Sequence, residues 1–488
     1  MRKHFPYMKP KMLPRLSTLC MKVLENRVSS ITLKLLELST DYEVDFDSKY
    51  LDPTCRKLEE IISGIPCSLA NEVTDKLLHT VMFSYQKFLS KESVELKILL
   101  KHNTSFIVDV ACSVLHPYTT IFCYADWCYS EHIGSDSIYQ FIVKALDKMR
   151  CIESLRLEVY SATKVKRNCI RFAVKDQTCL RKVEELTVYG LGMYRLHRQF
   201  QGLKKLVIGQ HSFKSWQDAD INILQLGHLE YLDVVDMKLN QEQVRNLIEG
   251  LSITQAKTQK EKFTKGHPLK VFKFESMQNT VSLVVSHFPY LTSVKIVVIS
   301  LCNLTVLKGL RQLKSLDICS KTRDTFQSIL GEFLKECGNR LQELKLANIY
   351  ETDLKFVAQH CPSLQKLCLY DCDGKFFREP PLFKKIFPKI KLRGVYEFPS
   401  VQTFQFNIHL LIAAEGDAIS HIISKCVNVQ VIQVKIHNDF TLMFLKKLAK
   451  NLGNMQFEIH QEVGDVIYAK GDELWGVLNY RFPKWMLT

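Results

Sequence analysis

Cysteine is the residue type in this chain with the widest range of chemical roles. Its side chain can be a nucleophile, bind a metal ion or form a disulfide. The sequence contains 16 cysteines among 488 residues, scattered along its length. Cys123 with Cys128 and Cys368 with Cys372 form close pairs, but neither has a second pair at the spacing of a zinc site. We therefore predict no metal site, and we expect reduced thiols in a protein of the cytoplasm, the nucleus or both.

One cysteine lies on the apolar side of a predicted helix. Cys20 is four residues from both Leu16 and Leu24, so the three side chains share one helical face. Leu19 and Val23 widen this face. Apolar surroundings indicate an inert thiol rather than a nucleophile. The helix is either a buried core helix or a docking helix on which the small Cys20 lets a partner approach closely.

Other motifs of catalysis and cofactor binding do not occur in the sequence. There is no glycine-rich phosphate loop, no His-Glu-x-x-His motif and no serine elbow. The 15 histidines show no ligand spacing. We therefore expect that the protein is not an enzyme and binds no cofactor.

Repeats are the elements that would position any binding residues. The segments LQELKL from Leu341 and LQKLCL from Leu364 place apolar residues at relative positions 1, 4 and 6, and this frame recurs from Ile152 to Val434. Its successive spacings of 22, 28 and 23 residues between positions 294 and 367 fit the roughly 20–29 residues of leucine-rich repeats. The middle residues, expected to point inward, are Leu155, Leu186, Leu206, Leu232, Phe272, Val294, Leu316, Leu344 and Leu367.

The sequence therefore predicts an α/β fold, a leucine-rich-repeat solenoid of horseshoe shape preceded by a helical segment. We place the helical segment at residues 1–100 and the irregular solenoid at residues 101–488. A polar, basic stretch at residues 252–266 predicts an exposed loop. Residues 375–413 fit the frame poorly, and the last repeat, at 455–459, is weak.

Outward residues of the strands would line the concave face of the solenoid. This face carries charges of both signs and several tyrosines, which suits a protein or peptide partner better than a uniform polyanion. The candidate substrate-binding residues on it are Arg156, Tyr189, Lys205, Tyr231, Asp233, Lys273, Lys295, Asp317, Lys345, Lys366 and Tyr370.

A second N-terminal segment, IPCSLANEV at residues 65–73, has the pattern of a helix start. Ile65, Leu69 and Val73 recur at four-residue spacing, and Pro66 suits the first turn of a helix.

Together the two N-terminal segments resemble the docking boxes of substrate receptors of cullin-RING ubiquitin ligases. The pattern of Leu16, Cys20 and Leu24 is similar to the elongin C-binding box. The segment 65–73 resembles the cullin-contacting box that follows it in von Hippel–Lindau-type receptors, several of which carry leucine-rich repeats downstream. The resemblance implies a non-catalytic receptor that binds elongin C and a cullin through these residues and a protein substrate through its repeats.

Two other readings of the sequence stay open. The stretch IPCSLANEVTDKLL also resembles the opening of an F-box, which implies docking to the F-box adaptor of SCF ligases. The chain could instead be a repeat scaffold for protein interactions with no link to ubiquitin.

The net charge of +15 would permit an anionic partner such as nucleic acid or a membrane surface. No arginine-rich tract or basic–aromatic motif indicates a nucleic-acid module. Lys295 interrupts the most apolar long run, which begins at Leu291, so we predict no membrane span. We expect neither nucleic acid nor a membrane as partner.

Binding of RNA through this charge would weaken steeply with salt, because each phosphate contact releases counterions. We expect no tight complex with a mixed-sequence RNA at physiological salt in a fluorescence-anisotropy titration. A submicromolar complex that weakens as salt is raised would contradict the expectation of a protein partner.

Overall fold

The computed structural model forms two compact units, Met1–Ile221 and Asn222–Thr488. The predicted basic loop at residues 252–266 lies outside the described residues, and the division of the chain at residue 100 stays a prediction. The described residues are 13–39, 50–92, 105–125, 135–158, 180–189, 200–209, 226–235, 268–276, 280–299, 304–321, 325–349, 352–370, 397–407, 428–435, 456–460 and 466–470, with single positions at 242, 244, 247, 423 and 426.

The first unit begins with helices, as the spacing of the apolar residues predicts. Pro53 occupies the first turn of α2, and Gly64 follows its last residue. Val28 of α1 and Val81 of α3 are fully buried, as expected of helices that pack through apolar faces. The helices are α1 (Leu13–Ser39), α2 (Asp52–Ser63), α3 (Ala70–Lys91) after a 3₁₀ turn at Cys67–Leu69, α4 (Ser105–Ser113) and α5 (Ser135–Lys148).

Parallel strands complete the first unit. They pair in chain order, β1 with β2, β2 with β3 and β3 with β4. The strands are β1 (Ile121–Ala125), β2 (Ser154–Glu158), β3 (Glu185–Tyr189) and β4 (Lys205–Ile208).

The second unit repeats this arrangement, with strands in chain order and helical turns on the returning segments. All pairs from β5 to β13 are parallel, and β14 is antiparallel to β13. The strands are β5 (Tyr231–Asp233), β6 (Val271–Ser276), β7 (Ser293–Val298), β8 (Ser315–Ser320), β9 (Glu343–Ala347), β10 (Lys366–Tyr370), β11 (Thr403–Asn407), β12 (Val431–Lys435), β13 (Gln456–His460) and β14 (Val466–Lys470). The α-helices between them are α6 (Thr280–His287), α7 (Glu332–Cys337) and α8 (Leu354–His360).

The core confirms the predicted repeat frame. All nine predicted middle residues are at most 1% exposed. They are also register partners, for example Val294 with Leu316 and Leu344 with Leu367. The fold is therefore the leucine-rich-repeat solenoid that the spacing predicts.

Three of the described strands were not predicted: β1, β11 and β14, the last of which follows the weak repeat at 455–459. β11 lies inside residues 375–413, the segment that fits the repeat frame poorly. Val401, Phe404 and Phe406 nevertheless follow the frame there. β1 precedes the first predicted repeat. The apolar frame missed it because the buried Thr119 occupies the position where the frame expects an apolar residue. Its hydroxyl is satisfied by donating to the carbonyl of His116 at 2.8 Å.

A recurring hydrogen-bond pattern joins neighbouring parallel strands within each unit. One carbonyl accepts from the two successive amides at the start of the following strand. The carbonyl of Thr120, for instance, accepts from Glu153 and Ser154 at 2.8 and 3.0 Å. The same arrangement recurs at the carbonyl of Gln402, which serves Gln430 and Val431. Every repeat thus needs an acceptor from the repeat before it.

Asn71 of α3 supplies this acceptor for β1. Its Oδ1 accepts from the amides of Thr120 and Ile121 at 2.9 and 3.1 Å, close to the distances at the later strands. Its Nδ2 donates to the Thr120 hydroxyl at 3.0 Å. The side chain therefore takes the place of the carbonyl of a preceding repeat and attaches the helices to the sheet.

Replacing Leu344 by Ala should lower the free energy of unfolding by about 2–5 kcal/mol, because a fully buried leucine loses its contacts and leaves a cavity. Chemical denaturation measures this loss. The matched control is Leu19→Ala, since Leu19 is 60% exposed and should change stability by less than about 0.5 kcal/mol. Equal effects of the two substitutions would contradict the repeat frame.

Replacing Asn71 by Ala should cost about 1–3 kcal/mol, because two strand amides lose their acceptor. Hydrogen exchange should quicken at the amides of Thr120 and Ile121. Asn71→Asp keeps an acceptor oxygen and should retain most of the protection. Unchanged exchange in Asn71→Ala would show that the side chain does not replace the missing carbonyl.

Candidate functional site

The two N-terminal motifs meet in one groove of the first unit. The groove has a volume of about 530 Å³. One wall comes from α1, and the other from the end of α2, the turn that follows and the start of α3. The lining residues are Leu19, Cys20, Met21, Val23, Leu24, Arg27, Ile61, Ile65, Pro66, Leu69 and Val73.

The second wall is fixed by local backbone geometry and by one buried histidine. Pro66 has an extended backbone, with φ −57° and ψ 137°, and separates α2 from the turn that leads to α3. The Ile65 carbonyl accepts from Nε2 of His116 at 3.0 Å. Nδ1 of His116 accepts from the amide of Tyr118 at 3.2 Å, so Nε2 carries the proton. This bond ties the wall to the segment just before β1.

The predicted docking residues differ in their accessibility. Cys20 and Pro66 are exposed, whereas Leu24, Ile65 and Leu69 are half-buried. Val73 is 1% exposed and supports the groove from within. Leu16 lies on α1, but its side chain is outside the described residues. The role of these residues in adaptor binding stays a prediction.

The structure adds residues to the groove that the motifs do not contain. Leu19 and Val23, which widen the apolar face of α1, are 60% and 61% exposed. Ile61 joins from the end of α2. Arg27 follows Cys20 by seven residues and therefore shares its face, but a search for apolar spacing passes over a charged residue.

The predicted substrate-binding residues of the first unit lie on adjacent strands. Arg156 is exposed on β2 and pairs with Glu158. Lys205 on β4 pairs with Glu185 on β3 at 3.2 Å. Tyr189 is half-buried at the end of β3, where its ring covers Gly209. A Cβ at Gly209 would collide with this ring, so the glycine permits its position.

In the second unit, the predicted residues form a row that contains charges of both signs. Asp233, Lys273, Lys295, Asp317 and Lys345 are register neighbours on five successive strands. Lys273 lies 3.2 Å from Asp233, and Lys295 lies 3.9 Å from Asp317. The carboxylates of the row therefore neutralise part of the charge of its lysines. The row still presents hydrogen-bond donors and acceptors on its surface.

Tyr231 and Lys366 flank this row. The ammonium of Lys273 lies 4.9 Å from the centre of the Tyr231 ring, a cation–π contact. Glu343, which is not among the predicted substrate-binding residues, lies 3.1 Å from Lys345 and 3.8 Å from Lys366. The side chain of Tyr370, at the end of β10, is outside the described residues.

Electrostatics in the row follow from partial burial and close pairing. Burial raises the pKa of Asp317, although Lys295 and Lys345 oppose the shift. Burial would lower the pKa of Lys273, but the hydrogen bond to Tyr231 and the charge of Asp233 outweigh it and raise this pKa. The charged form of Lys273 is thus stabilised, whereas the charged form of Asp317 is destabilised.

The charged row ends at β10. Cys368 is the register partner of Lys345 but is fully buried, and its Sγ lies 3.5 Å from Oε1 of Gln405. The next residues of the row are Gln405 and Gln433. The face therefore changes from charged to amide side chains, a change that strand alternation predicts only once β11 is recognised.

Groups that could perform redox or metal chemistry are few in the described part of the chain. Burial raises the pKa of Cys112 and of Cys361 to about 12, which keeps both thiols protonated. Cys319 is disulfide-bonded, so the expectation of reduced thiols is wrong at that position. No group of three or more His, Cys, Asp or Glu side chains is placed to hold a metal ion among these residues. None of the described helices is long and apolar enough to cross a membrane.

Comparison with known proteins yields likeness at the level of solved structures. No protein-family model and no curated protein matches the chain. The leucine-rich-repeat-containing protein LegL7 from Legionella pneumophila is 11% identical, with 59% of this chain and 95% of that chain covered and a TM-score of 0.35. Internalin C2 from Listeria monocytogenes is 14% identical over 41% and 79%, with a TM-score of 0.25. A chain in the crystal structure of the Rad7 and Elc1 complex in yeast is 11% identical over 88% and 94%, with a TM-score of 0.33.

Proposed function

We propose that this protein is a non-catalytic substrate-recognition subunit of a cullin-RING ubiquitin ligase. The observation that carries the proposal is the meeting of two sequence motifs in one groove. The segments around Cys20 and Pro66 are far apart in the chain, yet they form opposite walls of the groove. Two patterns chosen only for their likeness to docking boxes would not be expected to share a surface by chance.

The groove has the physical character of a docking surface. Leu19 and Val23 leave most of their apolar surface in water, which is unfavourable unless a partner covers them. Cys20 between them is small and exposed, so a partner side chain can approach the helix closely. Elongin C is the proposed occupant, with the cullin contacting the side of Pro66.

Substrate binding is assigned to the outward face of the strands. The charged row from Asp233 to Lys345 presents both signs of charge, and a protein segment with complementary charges can exchange partners with it. The receptor would hold its substrate close to the ligase machinery, which supplies the chemistry.

In the F-box alternative, the adaptor would bind the same groove, mainly through the wall formed by the end of α2, the turn and the start of α3. In that case the segment from Ile65 to Leu69 would make the main contacts with the F-box adaptor, and α1 would contribute little. Direct titration of the purified chain with elongin C and with the F-box adaptor separates the two forms of the proposal.

A double substitution of Leu19 and Val23 by Asp should abolish binding to elongin C, because charges would replace apolar groups at the contact. We expect at least a hundredfold loss of affinity by calorimetry, roughly the 3 kcal/mol or more expected for two central apolar anchors. The melting temperature should stay unchanged, since both side chains are exposed.

The matched control is Phe83→Asp on α3, because Phe83 is 55% exposed but does not line the groove. It should bind elongin C like the wild type. If the wild-type chain binds neither elongin C nor the F-box adaptor, the ligase proposal fails and a repeat scaffold for other protein interactions is the better reading.

A further inference from the structure

Arg27 is the one charged residue among the eleven that line the groove. Its side chain is exposed, and it forms no ion pair or hydrogen bond with any carboxylate of the described residues. The neighbouring acid on α1, Glu25, lies near Lys76 of α3, where Glu72 is the main cause of the raised pKa of Lys76 and the charge of Glu25 adds to it. A guanidinium with unused donors therefore stands at the edge of an apolar surface.

Covering the groove would remove water from this guanidinium. A buried charge without a partner is strongly destabilising, which would offset much of what burying Leu19 and Val23 contributes. An Arg presents a planar fork of five donors, whose best match is a carboxylate that accepts two of them. The apolar lining and the free cation together define what an occupant must offer.

We infer that the protein occupying the groove places an Asp or Glu carboxylate against Arg27, next to the aliphatic side chains that fill the apolar part. The inference rests on the proposed function, since it names the chemistry of the docking partner. It adds a contact that the two sequence motifs do not contain. Arg27 thereby sets the orientation of the partner along α1, while the apolar lining supplies most of the affinity.

The test measures the affinity of purified elongin C for three variants at low and at physiological salt. Arg27→Gln should bind about tenfold more weakly than the wild type at low salt, since it keeps hydrogen-bond donors but loses the charge. Arg27→Glu should bind more weakly still, through repulsion. Wild-type affinity should fall as salt is raised, and the fall should be smaller in Arg27→Gln.

The matched control is Lys34→Glu, which makes the same charge reversal at an exposed position of α1 outside the groove. It should bind like the wild type, so that a general effect of net charge is separated from a contact at Arg27. Melting curves of all variants check that folding is intact.

The outcomes separate the inference from the function on which it rests. If Arg27→Gln or Arg27→Glu binds as tightly as the wild type while the Leu19 and Val23 double variant does not bind, the inference is overturned and the docking groove stands. A weaker Arg27→Gln whose loss does not depend on salt would identify a neutral acceptor and would also overturn it. If the wild-type chain does not bind elongin C, the elongin form of the function fails, and the inference fails with it.

Discussion

The sharing of one carbonyl between two amides of the next strand is the interaction on which each unit depends. Because the acceptor always belongs to the previous repeat, no repeat can complete its own backbone hydrogen bonds. The buried row of middle residues follows from the same constraint, since the shared carbonyl fixes the register in which Leu316 meets Leu344. Backbone pairing and apolar packing therefore select a single register together.

No earlier repeat supplies an acceptor for the amides at the start of β1, and the N-terminal helices supply it instead. Asn71 supplies the acceptor, and the hydroxyl of Thr74 lies 2.7 Å from that of Thr119, the polar residue that replaces the apolar first position. The helical segment is thus part of the folding unit of the repeats that follow, as well as the site of the groove. Helices attached in this way cannot pivot freely on a flexible linker.

The sequence predicts most of the repeat core, because apolar spacing reports directly on burial. Val294, Leu316 and Leu344 could be placed inward on that basis alone. Thr119 shows the limit of the method, since a buried residue whose hydroxyl is satisfied by His116 and Thr74 looks like a break in the frame. The docking motifs identified the helices that form the groove and many of its residues. They could not reveal that Cys20 and Pro66 line the same groove, because that depends on the packing of α1 against α3. They also could not select Arg27, whose charge excludes it from an apolar pattern.

One contact links the groove to the repeats. His116 is fully buried just before β1. Its ring donates a hydrogen bond to the Ile65 carbonyl and accepts one from the Tyr118 amide. The wall that carries Pro66 is therefore positioned by the same segment that begins the sheet. Repeat proteins usually confine damage to neighbouring repeats, so the central strands of the second unit can tolerate changes near the groove. The converse does not hold for the first repeat, because a shift of β1 would move His116 and with it one wall of the groove. The shape of the groove thus depends on correct formation of the first repeat.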